Sequence, residues 1–304
     1  MEIKPAIVIG IAAIAVGAIA LILVLFPIGV VGGLRSETLD VKVADYPTAS
    51  EVVFLIELGA VDLDIQQIDD ATSILHAEAR YNVRQSRPMI KSAQVGDTLT
   101  ITIKAKTRIP WFFPPTGRII NEYTLTLGKY DKTTSFNMDL GAFSGSMKLK
   151  RLPLKELDID SGAGTLTLDF SEFTNLEKAD VNLEVGAATV TILSLANTDF
   201  ESFEMDLGAA TATVDFSGDH SPGVAEAQID SGAVTLDLIL PKESGCRLTA
   251  RVLGSLDFPS GWTFVGEVGE KKEYRSPNYD VTPFKLELDI DAGLATVNVK
   301  ASEP

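Results

Sequence analysis

The 304-residue sequence reads as an all-β protein, a repetitive β-solenoid of the parallel β-helix kind with a repeat of 21–24 residues, preceded by one N-terminal transmembrane helix. Three features lead there. A long apolar run stands near the start, a short phrase returns at a near-constant spacing, and strict alternation of polar and apolar residues follows each return.

The apolar run comes first. No charged residue occurs from Pro5 to Leu34, and Ala6 to Phe26 is apolar throughout, about 31 Å long as a helix and enough to cross a bilayer. Residues 1–5 are then a short tail and 6–33 an anchor. The run is too long for the core of a cleavable secretory signal and continues through Pro27 to Gly33. Lys4 precedes it and Arg35 follows it, so charge asymmetry gives little orientation. An anchor ahead of a large acidic domain most simply leaves that domain outside the cell membrane, as a single-pass extracytoplasmic protein. A pilin-like subunit, its apolar helix packed in a filament, is the alternative, and Lys4-Pro5-Ala6 is a poor processing site for it.

Residues 34–50 read as a linker and 51–135 as an N-terminal β region; 136–304 hold the repeats and a C-terminal cap. Gly141, Gly162, Gly186, Gly208 and Gly232 are 21, 24, 22 and 24 residues apart. Each closes a phrase of apolar, acidic, any, Gly, Ala, as in Ile159-Asp160-Ser161-Gly162-Ala163. Gly59 and Gly293 head two outlying copies, making seven. After each glycine comes alternation such as Thr165-Leu166-Thr167-Leu168, the period of a half-buried strand. The glycine lets the chain bend or take positive φ between two short strands. A fixed period of this length marks solenoids, whose units bury apolar faces against their neighbours. Three short strands per coil fit the length; a stack of hairpins or a sandwich is the competing layout. Residues 60–135 break the pattern with further strands around a Pro-aromatic insertion, and 241–283, rich in Pro and Gly, read as loops and a cap.

Several stretches together resemble a known family: Glu57-Leu58-Gly59-Ala60-Val61-Asp62-Leu63 through Val95-Gly96-Asp97-Thr98-Leu99-Thr100-Ile101, the repeated phrase, and Ser276-Pro277-Asn278-Tyr279-Asp280 with Lys285 to Gly293. They look like the putative-adhesin, toast-rack type of β-solenoid domain over most of residues 45–300. The C-terminal part is also similar to a domain of Lia-type cell-envelope stress proteins. The resemblance implies the fold and an envelope location, and it supplies no catalytic residues.

The most regular polar feature is the acid two positions before each glycine: Glu57, Asp139, Asp160, Glu184, Asp206, Asp230 and Asp291. In stacked coils about 4.8 Å apart they form a column whose repulsion calls for cations, protonation or outward splay. Calcium, which takes several oxygens in flexible geometry, is the candidate ion. The plainer reading is that each acid accepts backbone N–H bonds at its own turn or faces water.

Net charge is −16, yet residues 80–132 carry ten basic and three acidic residues. That basic island encloses Trp111, Phe112 and Phe113 between Arg108 and Arg118. It suits an anionic membrane surface or an acidic partner, or a loop that folds back to cap the solenoid. The acidity argues against nucleic acid, and the single Cys246 excludes an intramolecular disulfide. His76 sits in strand-like alternation and His220 in a turn, neither beside a recognisable nucleophile or ligand spacing. No cofactor motif is present. The sequence therefore points to a non-enzymatic envelope protein, structural or adhesin-like, whose sheet associates with itself or with surface partners. The alternative is a regulatory module for envelope stress or ligand binding that uses the 109–115 loop.

Overall fold

Alternation after each phrase places every second side chain inward, and a computed structural model covering residues 31–83, 87–105, 119–241 and 244–302 has this arrangement. Among those residues the strands are β1 (Val31–Lys42), β2 (Glu51–Leu58), β3 (Val61–Gln67), β4 (Ser73–Val83), β5 (Met89–Val95), β6 (Thr98–Ala105), β7 (Asn121–Leu127), β8 (Thr133–Lys148), β9 (Arg151–Leu152), β10 (Leu154–Asp169), β11 (Thr174–Asn175), β12 (Ala179–Leu193), β13 (Phe200–Asp215), β14 (Gly223–Leu240), β15 (Gly245–Asp257), β16 (Thr263–Val268), β17 (Lys271–Arg275) and β18 (Phe284–Ala301). The segment 6–33 lies outside them except for Val31–Gly33, which open β1. No helix among the described residues is long and apolar enough to cross a membrane. Residues 34–50 are not a linker, because β1 occupies most of them and pairs antiparallel with β4.

The repeat unit is one strand of 15–18 residues bent once, rather than three short strands. In β10 the outward positions run Asp158, Asp160, Gly162 and then Ala163, Thr165, Thr167, so inward–outward parity changes at the glycine. Each long strand thus contributes to two arms of one folded sheet. The central order β8-β10-β12-β13-β14-β18-β15 is parallel throughout. At the N-terminal end the arms separate: the first half of β8 continues to β2, β6 and β5, and the second half to β3, β7, β4 and β1.

Of the two roles expected for the corner glycines, the bend is present and positive φ is not, since none of them adopts it. Space decides. A Cβ on Gly162 would lie 2.8 Å from the carbonyl oxygen of Gly141, and one on Gly232 2.7 Å from that of Gly208. From Gly162 to Gly293 each corner stacks on the backbone of the corner beside it, and only hydrogen fits between.

One further expectation changes. Residues 241–283 are not all loop: β15 is another coil strand, and β16–β17 a hairpin added to it. The last phrase is in β18, which lies between β14 and β15. Inward side chains of both arms form one apolar core, in which Phe54 and Phe136 of neighbouring coils stack at 4.7 Å. Phe170, Phe200 and Phe216 close the third side, where the chain returns between coils.

Candidate functional site

Parallel, in-register pairing turns a repeated residue into a row. On the arm formed by the strand halves before the glycine, called face A, three outward positions per coil make three rows across β10, β12, β13, β14 and β18. The first is Glu156, Asp180, Ser202, Glu226 and Glu287. The second is Asp158, Asn182, Glu204, Gln228 and Asp289. The third is Asp160, Glu184, Asp206, Asp230 and Asp291. Twelve of these fifteen residues are acids and none is basic.

The third row continues through Asp139 to Glu57, so the structure brings all seven phrase acids into one column. An open trough of about 690 Å³ runs beside it, lined by the acids from Asp160 to Asp291 and by Gly186, Gly208 and Gly232. The carboxylates stand in line and do not surround a point. Among the described residues, no three His, Cys, Asp or Glu side chains gather as metal ligands would. The column for which calcium was the candidate ion, beside the plainer reading of acids facing water, is a ladder of single carboxylates.

Protein cations meet the rows at their ends. Lys104, paired in register with Glu57, bonds its carboxylate. At the other end Arg247 bonds Glu287, Lys271 bonds Asp289, and Arg251 grips Asp291 with Nε and an Nη at 3.0 and 2.6 Å. The Arg251 guanidinium holds the Asp291 carboxyl below the usual range, and Asp291 in turn raises Arg251. Amides and a hydroxyl relieve part of the interior. Asn137 and Asn182 both donate to Asp158, at 3.2 and 3.0 Å. Ser202 donates to Asp180 at 2.7 Å, and Gln228 to Asp230 at 2.8 Å.

Face B, formed by the halves after the glycine, differs. Its rows are threonines, Thr165, Thr189, Thr211, Thr235 and Thr296 in one, and Thr167, Thr191 and Thr213 in the next. Asp237 extends the second row and is matched by Asn298 at 2.7 Å and Lys300 at 2.9 Å, which hold its carboxyl below the usual range.

The remaining expected sites disperse. Arg108, Trp111, Phe112, Phe113 and Arg118 lie outside the described residues. His76 is an exposed residue of the largely buried β4, with Nδ1 2.6 Å from Asp40. His220 is stacked on Phe284 with its side chain almost wholly covered, close to Asp199 and the carbonyl of Phe200. Burial pushes the Cys246 thiol far up, as for a core residue. The sequence reading missed the first two acidic rows of face A. Their signal was the acid's own alternation, two and four positions before it on the same strand. It also missed Arg251, which stands in register with the phrase acid in a coil strand that lacks the phrase.

Compared with known families, residues 33–193 match the model described as the N-terminal domain of toast_rack, DUF2154, just over half of the chain. No curated protein matches. Among solved structures, a "putative cell adhesion protein" from Clostridium sporogenes is similar, at 16% identity and a TM-score of 0.44 over 89% of this chain and 100% of that one. A "putative adhesin" from Bacteroides fragilis has 10% identity and a TM-score of 0.31, over 88% and 97%. Another from Parabacteroides merdae has 9% and 0.29, over 90% and 98%. The family match ends at 193, short of the part likened to Lia-type proteins.

Proposed function

From the premise that this chain belongs to the toast-rack family, we propose that it is a non-enzymatic envelope protein of the structural or adhesin-like kind, held to the cell membrane by the apolar segment ahead of β1 with its bulk outside. Its acidic face A is the contact surface. The observation that carries this is the array of twelve acids without a base, which neutral residues interrupt and protein cations meet only at the ends. A rigid sheet offering carboxylates at strand spacing, about 4.8 Å, presents many weak charge contacts at once. Such contacts are individually small at an exposed surface and gain strength through number and fixed geometry.

Liposomes bearing the full chain test it by capture on amine-coated and carboxylate-coated surfaces at low and high salt. Capture on amine is expected, and it should fall at least tenfold when Glu184→Gln, Asp206→Asn and Asp230→Asn are combined. A control removes the same charge elsewhere, with Asp131→Asn, Asp219→Asn and Asp280→Asn, all exposed. Equal losses in both triple variants would mean that net charge alone, and not face A, mediates adhesion. Added protease that leaves the domain intact on whole cells, and digests it after permeabilisation, would overturn the outside location.

A further inference from the structure

Face B carries a regularity of its own, without charge at its centre. Ser144 and Ser255 extend the row of five threonines that starts at Thr165, so each coil strand from β8 to β15 supplies one hydroxyl to it. Two residues further along their strands, Thr167, Thr191 and Thr213 repeat the pattern, and on the corner side Ala163, Ala187, Ala209 and Ala233 form a third row. No pairing shifts register within these rows. The eight threonines are exposed or half-buried, while the residues between them, such as Leu166, Val190 and Ala212, fill the core. None of the eight threonine hydroxyls bonds another described residue. On face A, by contrast, Asn182, Ser202 and Gln228 all hold a neighbouring carboxylate.

We infer that face B is an ice-binding surface, whose threonine lattice holds water in positions that continue into the crystal. Two spacings define the lattice. Neighbouring strands set hydroxyls about 4.8 Å apart, and two residues along a parallel strand set them roughly 6.6 Å apart. These approach the oxygen repeats on a prism face of hexagonal ice, the first more closely than the second. Hydroxyls about 4.8 Å apart are too distant to bond each other, since O–H···O bonds measure about 2.5–3.0 Å. Each therefore bonds water, and the water it holds inherits the spacing of the sheet. Other occupants need features that the centre of the lattice lacks: a charge for an ionic partner, an aromatic ring on which a sugar could stack, or the Trp, Tyr and Arg anchors that carry protein contacts. Where the second row reaches a charge, at Asp237, Asn298 and Lys300 already hold the carboxylate. Single water contacts are weak, and the array gains strength through number and fixed geometry.

The inference goes beyond the adhesive reading and is tested apart from it, by partition into ice. Fluorescently labelled full chain in detergent micelles is shared between slowly growing ice and the remaining liquid, beside labelled micelles without protein. At least tenfold enrichment in ice over the empty micelles is expected from the wild-type chain. Thr189→Tyr with Thr213→Tyr sets two bulky side chains across the lattice at outward positions, and should return the protein to the empty-micelle level with its circular dichroism unchanged. The face A variant carrying Glu184→Gln, Asp206→Asn and Asp230→Asn should enter ice as the wild type does. Exclusion of the wild-type chain from ice overturns the inference whatever the variants do, as does equal enrichment of the tyrosine variant. Capture on amine-coated surfaces by face A is read separately and survives either result.

Discussion

Asp206 has Glu184 and Asp230 as its neighbours in the ladder, each one strand away. At about 4.8 Å two unit charges in water repel by roughly 0.9 kcal/mol. Screening with a Debye length of about 8 Å at 0.15 M salt leaves roughly half. Two neighbours then cost about 1 kcal/mol, which Asp206→Asn removes. The amide can also donate to a neighbouring carboxylate, as Asn182 does to Asp158. For a domain of this size, about 1 kcal/mol raises the melting temperature by roughly 2–4 °C. Differential scanning calorimetry of wild type and variant at 0.02, 0.15 and 1 M sodium chloride measures it. The gain should be largest at low salt and shrink below about 0.5 kcal/mol at 1 M, where the Debye length is about 3 Å. A variant that melts lower than wild type at every salt concentration would refute the argument. The carboxylate would then be accepting backbone N–H bonds, and losing a charge-assisted acceptor would outweigh the relief.

Gly232→Ala should destabilise by about 1–3 kcal/mol, since its Cβ would press on the Gly208 carbonyl, whereas Gly266→Ala, in open space, should be near neutral; thermal melts of the pair decide. Asp291 and Asp237 have carboxyls lowered in the folded state by Arg251, and by Asn298 and Lys300. Such groups stabilise above the unfolded carboxylate range and lose that contribution as pH falls through the folded value, so Asp291→Asn should flatten the acid limb of a stability–pH curve. Cys246, buried and with its thiol pushed up, should resist alkylation at pH 8 until the chain unfolds; labelling in native buffer that keeps pace with labelling in denaturant would contradict that burial.

One row of face A, the phrase acids, was legible in advance because each coil that carries the phrase repeats the same instruction. An acid two places before a corner glycine, directly after an inward apolar residue, faces out by the strand's alternation, and parallel stacking in register places it over its counterpart. Asp160, Glu184, Asp206 and Asp230 needed nothing more. Glu57 and Asp291 were harder. Gly59 lies beneath Gly141 although 82 residues separate them, and Gly293 stacks on Gly232 across 61 residues. The inserted segments pair outside the central stack and leave its spacing intact. His220 and Cys246 carried no sequence mark of the packing that encloses them.

The sequence by itself determined the coil: its length, its inward and outward residues, and the carboxylate that recurs in each. These are local properties, set by side-chain period and by the position of glycine. Tertiary structure alone decided the order of the coils, with β18 slipped between β14 and β15, and placed Arg247, Lys271 and Arg251 against the acidic rows. It also supplied the reason for the glycines, a neighbouring carbonyl where a Cβ would stand. Such contacts lie between segments far apart in the chain. Backbone pairing is nearly indifferent to which coil comes next, so local pattern cannot choose the neighbour, and packing of the whole stack must.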